Sequence, residues 1–529
     1  MATQVIHPAA LERSEVNPWL IACTVMLATF MEVLDTSVAN VALPHIAGSL
    51  SSSVDETTWV LTAYLVANAI VLPLSGWFSS LFGRKRFYMT CVLLFTVSSA
   101  LCGLAPSLTT LILFRVLQGL GGGALQPVSQ AILRETFPRE KQGMAMAVYG
   151  MGVVFAPVVG PTLGGWITDN YTWRWIFLIN IPVGLCSLLF TTFLIFDPPY
   201  LIRRSFQTGL KIDYIGLGLL ATGLGALEIM LDEGQRNDWF SSSGIVVAAA
   251  TAVFCLVAVV FWELRQKDPV VEFHLLKERN FAIATGMMFI LGFVLYGSTM
   301  ALPLFLQTLL GYTAMQSGMA LSPGGLVIMV MMPVVGFLLS RIEARWLVIA
   351  GLLISSFGLF QMSHFDLGID FRQAVTARVV QSFGLAFLFV PINTVAFFFI
   401  SREKTSYATG LINLARNVGG STGIALATTL IARREQFHQQ RLIDHVSQID
   451  PAYLATFESA RQLFLSKGAD AVYAASQAQQ MIYGMVQRQA SMLAFLEDFR
   501  LLAITFLAVI PLALLMKRVR PKKVELSVE

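Results

Sequence analysis

The sequence predicts an all-α membrane protein with 14 transmembrane helices, arranged as two six-helix bundles plus two inserted helices, with both termini in the cytoplasm. Three observations lead to this fold class. The chain of 529 residues is 56% hydrophobic and only 13% charged, whereas soluble domains carry about 25% charged residues. Long apolar stretches follow one another along the chain, and the two halves share a repeat. The net charge of +4 is too small to indicate a nucleic-acid-binding protein.

The apolar stretches are each long enough to cross a bilayer as a helix. They fall near residues 18–43, 57–80, 87–105, 107–128, 142–167, 173–196, 212–231, 243–263, 280–303, 315–340, 346–363, 373–399, 404–432 and 499–516.

Basic residues test this count, because Lys and Arg are enriched in cytoplasmic loops. Every second loop is basic, as at residues 84–86, 134–141, 203–211 and 265–279. The short loops between them hold only Arg174, Arg236 and Arg372. The alternation therefore predicts that the basic loops and both termini are cytoplasmic.

An internal repeat relates the two halves of the chain. Arg115 and Gln118 match Arg378 and Gln381, and 378 − 115 gives an offset of 263. Duplicated halves are common in transporters, and this repeat pairs spans 1–6 with spans 9–14. The predicted divisions are a cytoplasmic tail (1–17), an N-terminal six-helix bundle (18–196), a basic linker with inserted helices 7 and 8 (197–279), helices 9–13 of the C-terminal bundle (280–432), a long periplasmic loop (433–498), helix 14 (499–516) and a cytoplasmic tail (517–529).

The segment 433–498 is too long to be a simple connection. It is rich in helix formers, with apolar residues at helical spacing and expected breaks at Pro451, Gly468 and Gly484. We expect about two amphipathic helices, which either pack on the transporter as a lid or dock a periplasmic partner.

Charged residues inside the bilayer are costly, so each is a candidate functional residue. Glu32 and Asp35 lie three residues apart on one helix face, and Arg115 lies in the fourth span. Asp35 and Arg115 are each about eight residues, or about 12 Å, from the outer end of their helix, so they can share a layer. A nearby cation favours a charged carboxylate and burial favours a neutral one, so we expect proton coupling at Asp35, Glu32 and Arg115. The alternative is a static ion pair that locks helix 1 to helix 4.

The second half keeps the cation but not the acid, because Ser298 stands at the position that matches Asp35. The proton site is therefore expected in the first bundle only. Glu228 and Asp232, which close the seventh span, are interpreted as a solvated rim. Polar residues that are candidates for substrate binding or gating are Gln118, Asn40, Arg378, Arg416 and Asn413.

The fifth span contains an unusual density of glycine and proline. Small residues allow close helix contact in membranes, and neighbouring helices can satisfy the carbonyls that proline frees. This pattern predicts a bend and a seal between two moving bundles. The residues concerned are Gly152, Ala156, Pro157, Gly160, Pro161, Gly164 and Gly165.

No cofactor, metal or enzymatic chemistry is indicated. The five cysteines lie in apolar segments without a CxxC pair, and the histidines lack ligand spacing. The chain contains no GxxxxGK[ST], HExxH or GxSxG motif. We therefore expect a secondary transporter that uses neither ATP nor a cofactor.

The ordered motifs resemble those of the 14-span drug:proton antiporter family of the major facilitator superfamily, and within it the EmrB type. The matching segments are 34–44, 115–119, 156–165 (with Ala156 in place of the first glycine), 173–184 and 231–234. The resemblance implies the major facilitator fold and proton-driven export by alternating access from the bacterial inner membrane. It also implies hydrophobic drugs, uncouplers and dyes as substrates, with an EmrA-type periplasmic adaptor and a TolC-like outer-membrane channel as partners.

One motif departs from the family pattern. The loop between spans 2 and 3 keeps Gly76, Gly83, Arg84 and Lys85, but Ser80 stands where the family has an acid. The ion pair that usually latches the inner gate cannot form in the usual way.

Three other functions are compatible with the motifs to different degrees. A dedicated exporter of one metabolite, such as a siderophore or a fatty acid, would have the same fold. A proton:solute symporter is disfavoured by the fifth-span motif. A scaffold or enzyme that has lost transport is disfavoured by the charges within the spans.

Overall fold

The computed structural model describes most of the chain, and the regular structure in the described part is entirely helical. The predicted N-terminal tail, most of the basic linker and nearly all of the C-terminal tail lie outside the described residues. The described ranges are 17–138, 141–197, 213–266, 268–444, 446 and 450–517.

Eighteen α-helices follow one another in these ranges. They are α1 (Pro18–Ser49), α2 (Val54–Phe82), α3 (Arg84–Gly103), α4 (Leu108–Gly122), α5 (Leu125–Thr136), α6 (Gln142–Asn170), α7 (Trp175–Leu178), α8 (Asn180–Leu194), α9 (Tyr214–Glu233), α10 (Ser243–Glu263), α11 (Arg279–Leu310), α12 (Ala314–Leu338), α13 (Ala344–Met362), α14 (Phe371–Phe397), α15 (Thr405–Ile443), α16 (Pro451–Ser466), α17 (Ala471–Ala508) and α18 (Ile510–Leu514).

Within the described part, 11 helices are long and apolar enough to cross a membrane. Two of them are composite, because α4 with α5 and α7 with α8 each form one candidate span. The count reaches 12 when the two halves of α6 are taken together. The long helices α15 and α17 are not among these spans. The protein is therefore an all-helical, multi-pass membrane protein.

Two bundles are recognisable from the helix contacts. In the first, α1 packs against α6 and α8, and α4 packs against α2 and α3. In the second, α11 packs against α15, and α14 packs against α12 and α13. The bundles meet where α6 contacts α12 and where α2 contacts α15. The helices α9 and α10 pair with each other, and α9 also contacts α2.

The helix α6 is bent by 42° between Pro157 and Val159, at the first of its two prolines. Its small residues lie against α1, where the Ser37 hydroxyl donates to the Pro157 carbonyl at 3.2 Å. A Cβ on Gly164 would lie 3.0–3.2 Å from Val38, whereas one on Gly165 would meet nothing within 4 Å. The predicted contact face is thus real at Gly164 but not at Gly165.

Other motif residues of α6 lie near both bundles. A Cβ on Gly160 would collide with Ser37, and a Cβ on Gly152 would collide with Met26. Near the far end of the helix, Thr162 and Pro161 lie beside Gly318 of α12. The bent helix therefore contacts α1 in its own bundle and α12 in the other.

Helices fill most of the segment 433–498. The helix α15 continues to Ile443 and α17 begins at Ala471, so both extend well past the predicted span ends. The turn between α16 and α17 has Gly468 at a φ of 88°. The expected break at Gly484 was wrong, because this glycine lies inside α17. A glycine in a helix costs about 1 kcal/mol, which the packing of α17 against α15 and α16 offsets.

Candidate functional site

A buried ion pair joins α1 to α4. The Asp35 carboxylate lies 2.5 Å from Nη1 of Arg115, and both side chains are fully buried. The guanidinium also donates through Nε to the Val60 carbonyl at 3.0 Å, and it lies over the Tyr64 ring at 4.2 Å. The two residues that the sequence placed at one depth are thus in direct contact.

Two amides complete the surroundings of Asp35. Its Oδ1 accepts hydrogen bonds from Gln118 at 3.0 Å and from Asn180 at 2.7 Å. The Asn180 amide also donates to the Ser99 hydroxyl at 3.0 Å. The sequence analysis did not single out Asn180, although it lies within the sixth-span motif. A lone asparagine in an apolar span was the signal available.

Glu32, one turn before Asp35, has a different environment. Its Oε1 accepts from the Tyr64 hydroxyl at 3.2 Å and from Asn68 at 3.1 Å, and its Oε2 accepts from Gln126 at 2.6 Å. The side chain is 3% exposed. These hydrogen-bond donors are all neutral, so Glu32 is solvated by amide and hydroxyl groups while Asp35 is paired with a cation.

Gln126 also connects Glu32 to the second bundle. Its amide oxygen accepts a hydrogen bond from Nη2 of Arg416, which lies on α15. Arg416 is 1% exposed, and its Nε and Nη1 have no hydrogen-bond partner among the described residues. The chain Glu32–Gln126–Arg416 therefore crosses the boundary between the bundles.

Further along the same face of α5, two more side chains cross this boundary. Gln130 donates to Asn393 at 2.6 Å and accepts from Asn413 at 2.8 Å. Arg134 donates to the Asn393 carbonyl at 2.9 Å, and its guanidinium lies 3.6 Å from the centre of the Phe397 ring. Residues four apart lie on one helix face, so Gln126, Gln130 and Arg134 form a polar stripe, which we call the α5 stripe.

The second bundle repeats the arrangement around Arg115, but it has no acid at the position that matches Asp35. Arg378 donates to Gln381 at 2.8 Å and to Ser298 at 3.3 Å, and it is 2% exposed. Asn413 and Arg416 are buried at the boundary, as described above. Asn40 differs from the other candidates because it is exposed on α1.

The last turns of α2 lie against the second bundle. A Cβ on Gly76 would lie 2.7 Å from the Tyr407 backbone, and the Ser80 hydroxyl lies 3.2 Å from the Tyr407 hydroxyl. Gly83 joins α2 to α3 with a φ of 84°, which favours glycine. Because residue 80 is a serine, the contact between α2 and α15 across the boundary is neutral.

The two basic residues of this motif begin α3 and contact residues of the first bundle. Arg84 forms an ion pair with Glu135 at the end of α5. The backbone amide of Lys85 donates to Asp197 at 2.9 Å, and its ammonium donates to the Thr192 carbonyl at 2.6 Å.

Two acidic residues differ from expectation. Glu228 was interpreted as part of a solvated rim, but it is 4% exposed, because α9 packs against α2 and α15. Asp498, which was not predicted as a buried residue, is fully buried in α17, and neither of its carboxylate oxygens has a hydrogen-bond partner in the described part of the chain. Its place at the edge of a predicted loop hid its burial. Within the described residues, no cluster of His, Cys, Asp or Glu could hold a metal ion.

The sequence matches a known protein family and several known proteins. The model of the Major Facilitator Superfamily matches residues 25–424. The Multidrug export protein EmrB of Haemophilus influenzae is 38% identical over 460 residues, which are 87% of this chain and 89% of that protein. The Fatty acid resistance protein FarB of Neisseria gonorrhoeae is 37% identical, covering 93% of this chain and 94% of its own length.

A solved structure shares the fold at much lower identity. The proton:xylose symporter XylE is similar with a TM-score of 0.57 and 14% identity, over 93% of this chain and 96% of that one. This likeness concerns the fold alone.

Proposed function

Because the chain belongs to the major facilitator superfamily, we propose that it is a multidrug efflux antiporter that exports hydrophobic compounds in exchange for protons by alternating access. It is a transporter and not an enzyme. The EmrB relatives, which match most of its length, are multidrug export proteins. The conserved fold and the buried acids of α1 support proton coupling.

The observation that carries the proton coupling is the contrast between the two acids of α1. Protonation of Asp35 would leave the Arg115 guanidinium buried without its anion, which is strongly unfavourable. Protonation of Glu32 removes no ion pair, because its partners are amides and a hydroxyl. We therefore assign the exchanged proton to Glu32 and a positioning role to the Asp35–Arg115 pair.

The link through Gln126 couples this proton to the bundles. A charged Glu32 accepts from the Gln126 amide nitrogen, and this orientation turns the amide oxygen toward Arg416. A protonated Glu32 carries a donor instead, and a donor needs an acceptor. Rotation of the Gln126 amide would supply that acceptor and would take the oxygen away from Arg416. Proton uptake would thus break a bond between the two bundles.

The α5 stripe is the inner gate in this mechanism. It runs toward the loop after α5, for which the basic residues predict the cytoplasmic side, and Ser80 and Tyr407 meet near the same end. The described conformation is then closed toward the cytoplasm. Loss of the Gln126–Arg416 bond would favour opening of that side.

We propose that the remaining long helices complete 14 spans. The 12 candidate spans gain α15 and α17, which carry charged residues such as Arg416 and Asp498 inside their apolar parts. With this count, both termini lie in the cytoplasm and the chain lies in the bacterial inner membrane. The extensions with α16 then project on the periplasmic side.

This projection, residues 433–498, is the proposed docking surface for an EmrA-type adaptor, which would connect to a TolC-like channel. Its exposed apolar residues include Leu454, Leu463, Val472 and Tyr473. Deletion of residues 445–495 should spare transport in vesicles but weaken drug resistance in cells with an outer membrane. Equal loss in both assays would show that the segment serves the transporter itself.

Proton release by the purified protein on addition of a drug panel tests the coupling. We expect release in the wild type and none in Glu32→Gln, which preserves the shape of the side chain. Asp35→Asn should alter release through misplacement of Arg115. Release that persists in Glu32→Gln but vanishes in Asp35→Asn would reassign the proton to Asp35.

A dedicated exporter of fatty acids is the second candidate, supported by the relative named for fatty acid resistance. Efflux of ethidium and of dodecanoate from the same cells separates the two. Export of both compounds supports the multidrug range, and export of dodecanoate alone supports the dedicated function.

A further inference from the structure

The polar groups around Arg378 repeat those around Arg115 with one substitution. Nη1 of each arginine donates to the glutamine three residues on, at 2.8 Å in both bundles. The amide of that glutamine then donates to Asp35 at 3.0 Å in the first bundle and to Ser298 at 2.8 Å in the second. The second bundle therefore preserves the surroundings of a carboxylate but holds a hydroxyl in its place.

The described residues supply Arg378 with no anion. Nη1 and Nη2 donate to neutral oxygens, those of Ser298, Gln381 and Thr299, and Nε has no partner. One turn further along α14, the buried Ser382 hydroxyl also has no partner. Both side chains lie against Gly324, where a Cβ would collide with them. Among the described residues, Arg378 and Ser382 thus each carry one unsatisfied polar atom on the face of α14 that meets α12.

A buried cation without an anion is costly, and a suitable anion stabilises it. The guanidinium fork suits a carboxylate, which it can bind through two hydrogen bonds. The neutral Ser298 hydroxyl stands where Asp35 stands in the first bundle, so a head group that displaces this hydroxyl would supply the missing negative charge. The Thr299 partner of Nη2 is half-buried, which leaves one edge of the guanidinium near the surface of the bundle.

We propose that Arg378, Ser298 and Ser382 bind the carboxylate-like head group of a lipophilic monoanion. This assignment rests on the proposed function as an exporter and adds a substrate class to it. In the first bundle the protein's own acid neutralises the arginine, and in the second bundle the substrate does so. The two related arginines then have different anions, Asp35 in the first bundle and the substrate in the second.

Binding of dodecanoate to the purified full-length protein, measured by equilibrium dialysis, tests this assignment. Arg378→Gln should weaken binding at least about tenfold, and Arg378→Lys should weaken it less, because it keeps the charge but loses the fork. Ser298→Asp should also weaken binding at least about tenfold, because it supplies an acid to Arg378. That variant should melt no lower than the wild type, which separates occupation of the site from misfolding.

The matched control is Arg372→Gln, which removes an exposed positive charge from the first turn of the same helix. It should bind dodecanoate like the wild type. Equal binding by the wild type and Arg378→Gln, or intact binding by Ser298→Asp, would overturn the proposal.

Competition with chloride tests whether the site binds an inorganic anion rather than an organic one. At constant ionic strength with gluconate as the replacement, we expect millimolar chloride to leave dodecanoate binding unchanged. Displacement of dodecanoate by chloride would overturn the assignment to an organic acid. Drug-induced proton release by the wild type reports the antiport separately, so its absence with Arg378-dependent dodecanoate binding would reject the antiport and support the anion site.

Discussion

Gln126 accepts a hydrogen bond from Arg416 across the boundary between the two bundles. The same amide donates to Glu32 at 2.6 Å, so one side chain connects an acid of α1 to a cation of α15. This connection gives the proposed proton site a direct effect on the contact between the bundles.

Replacement of this amide should uncouple the two events. Gln126→Leu removes both hydrogen bonds and leaves Glu32 and Arg416 buried without this shared partner. Drug-induced proton release should therefore fall at least about tenfold. The inner side should also open more often. In a cysteine-free background, Ser80→Cys should therefore react faster with a maleimide when Gln126→Leu is present. Gln440→Leu, on the exposed surface of α15, is the control, and equal labelling rates in all three proteins would contradict the gate.

The two acids of α1 should differ in their contribution to stability. Asp35→Asn leaves Arg115 without its anion, and loss of one partner of a buried pair costs about 3–5 kcal/mol. Glu32→Gln should cost much less, because its partners are neutral and an amide can bond with them. Thermal unfolding in detergent gives the ranking. A larger loss of stability in Glu32→Gln than in Asp35→Asn would show that Glu32 makes the larger structural contribution of the two acids.

Adjacent glycines of α6 should respond differently to the same substitution. Gly164→Val places a branched side chain where even a Cβ would lie 3.0–3.2 Å from Val38, so it should impair folding and transport. Gly165→Val carries the same intrinsic helix preference but meets open space. Ethidium efflux, normalised to the amount of protein in the membrane, makes the comparison. Equal loss in both variants would mean that glycine is needed for flexibility rather than for contact.

Asp498 and its neighbour Glu497 should give opposite changes in stability. Asp498→Leu removes a buried carboxylate that has no hydrogen-bond partner, so the melting temperature should rise. Glu497→Leu removes a contact of 3.0 Å to Arg434 and one of 3.1 Å to His438, so the melting temperature of this variant should fall or stay the same. A lower melting temperature for Asp498→Leu would indicate that the carboxylate has a structural role. Proton release by that variant would then be the next measurement.

The sequence analysis succeeded where a property depends on the position along one helix. Asp35 and Arg115 could be placed at one depth because each helical residue adds 1.5 Å, and the structure brings them into contact. The bend of α6 followed from its prolines in the same way. Such features are set by a few neighbouring residues and need no knowledge of how the bundles dock.

Features that depend on packing between distant segments could not be predicted from the sequence. Nothing in the sequence near Gln126 indicates that Arg416 lies opposite, because that contact depends on the docking of two bundles. Glu228 was assigned to a solvated rim from its place at a span end, but two other helices cover it. The ends of α15 and α17 were missed for a related reason. Their polar residues end the hydropathy signal, while helical packing between the two continues.

The length of α17 has a mechanical consequence. Arg488 donates to the Leu309 carbonyl near the end of α11, and residues 471–487 before it, at 1.5 Å each, form an arm of about 26 Å. A tilt of about 10° of the membrane part would sweep the tip of a rigid arm through about 4 Å. The helix would then act as a lever that turns a small rocking of the bundle into a displacement visible far from the membrane. A protein seated on that arm could sense each transport cycle without touching the drug or the proton.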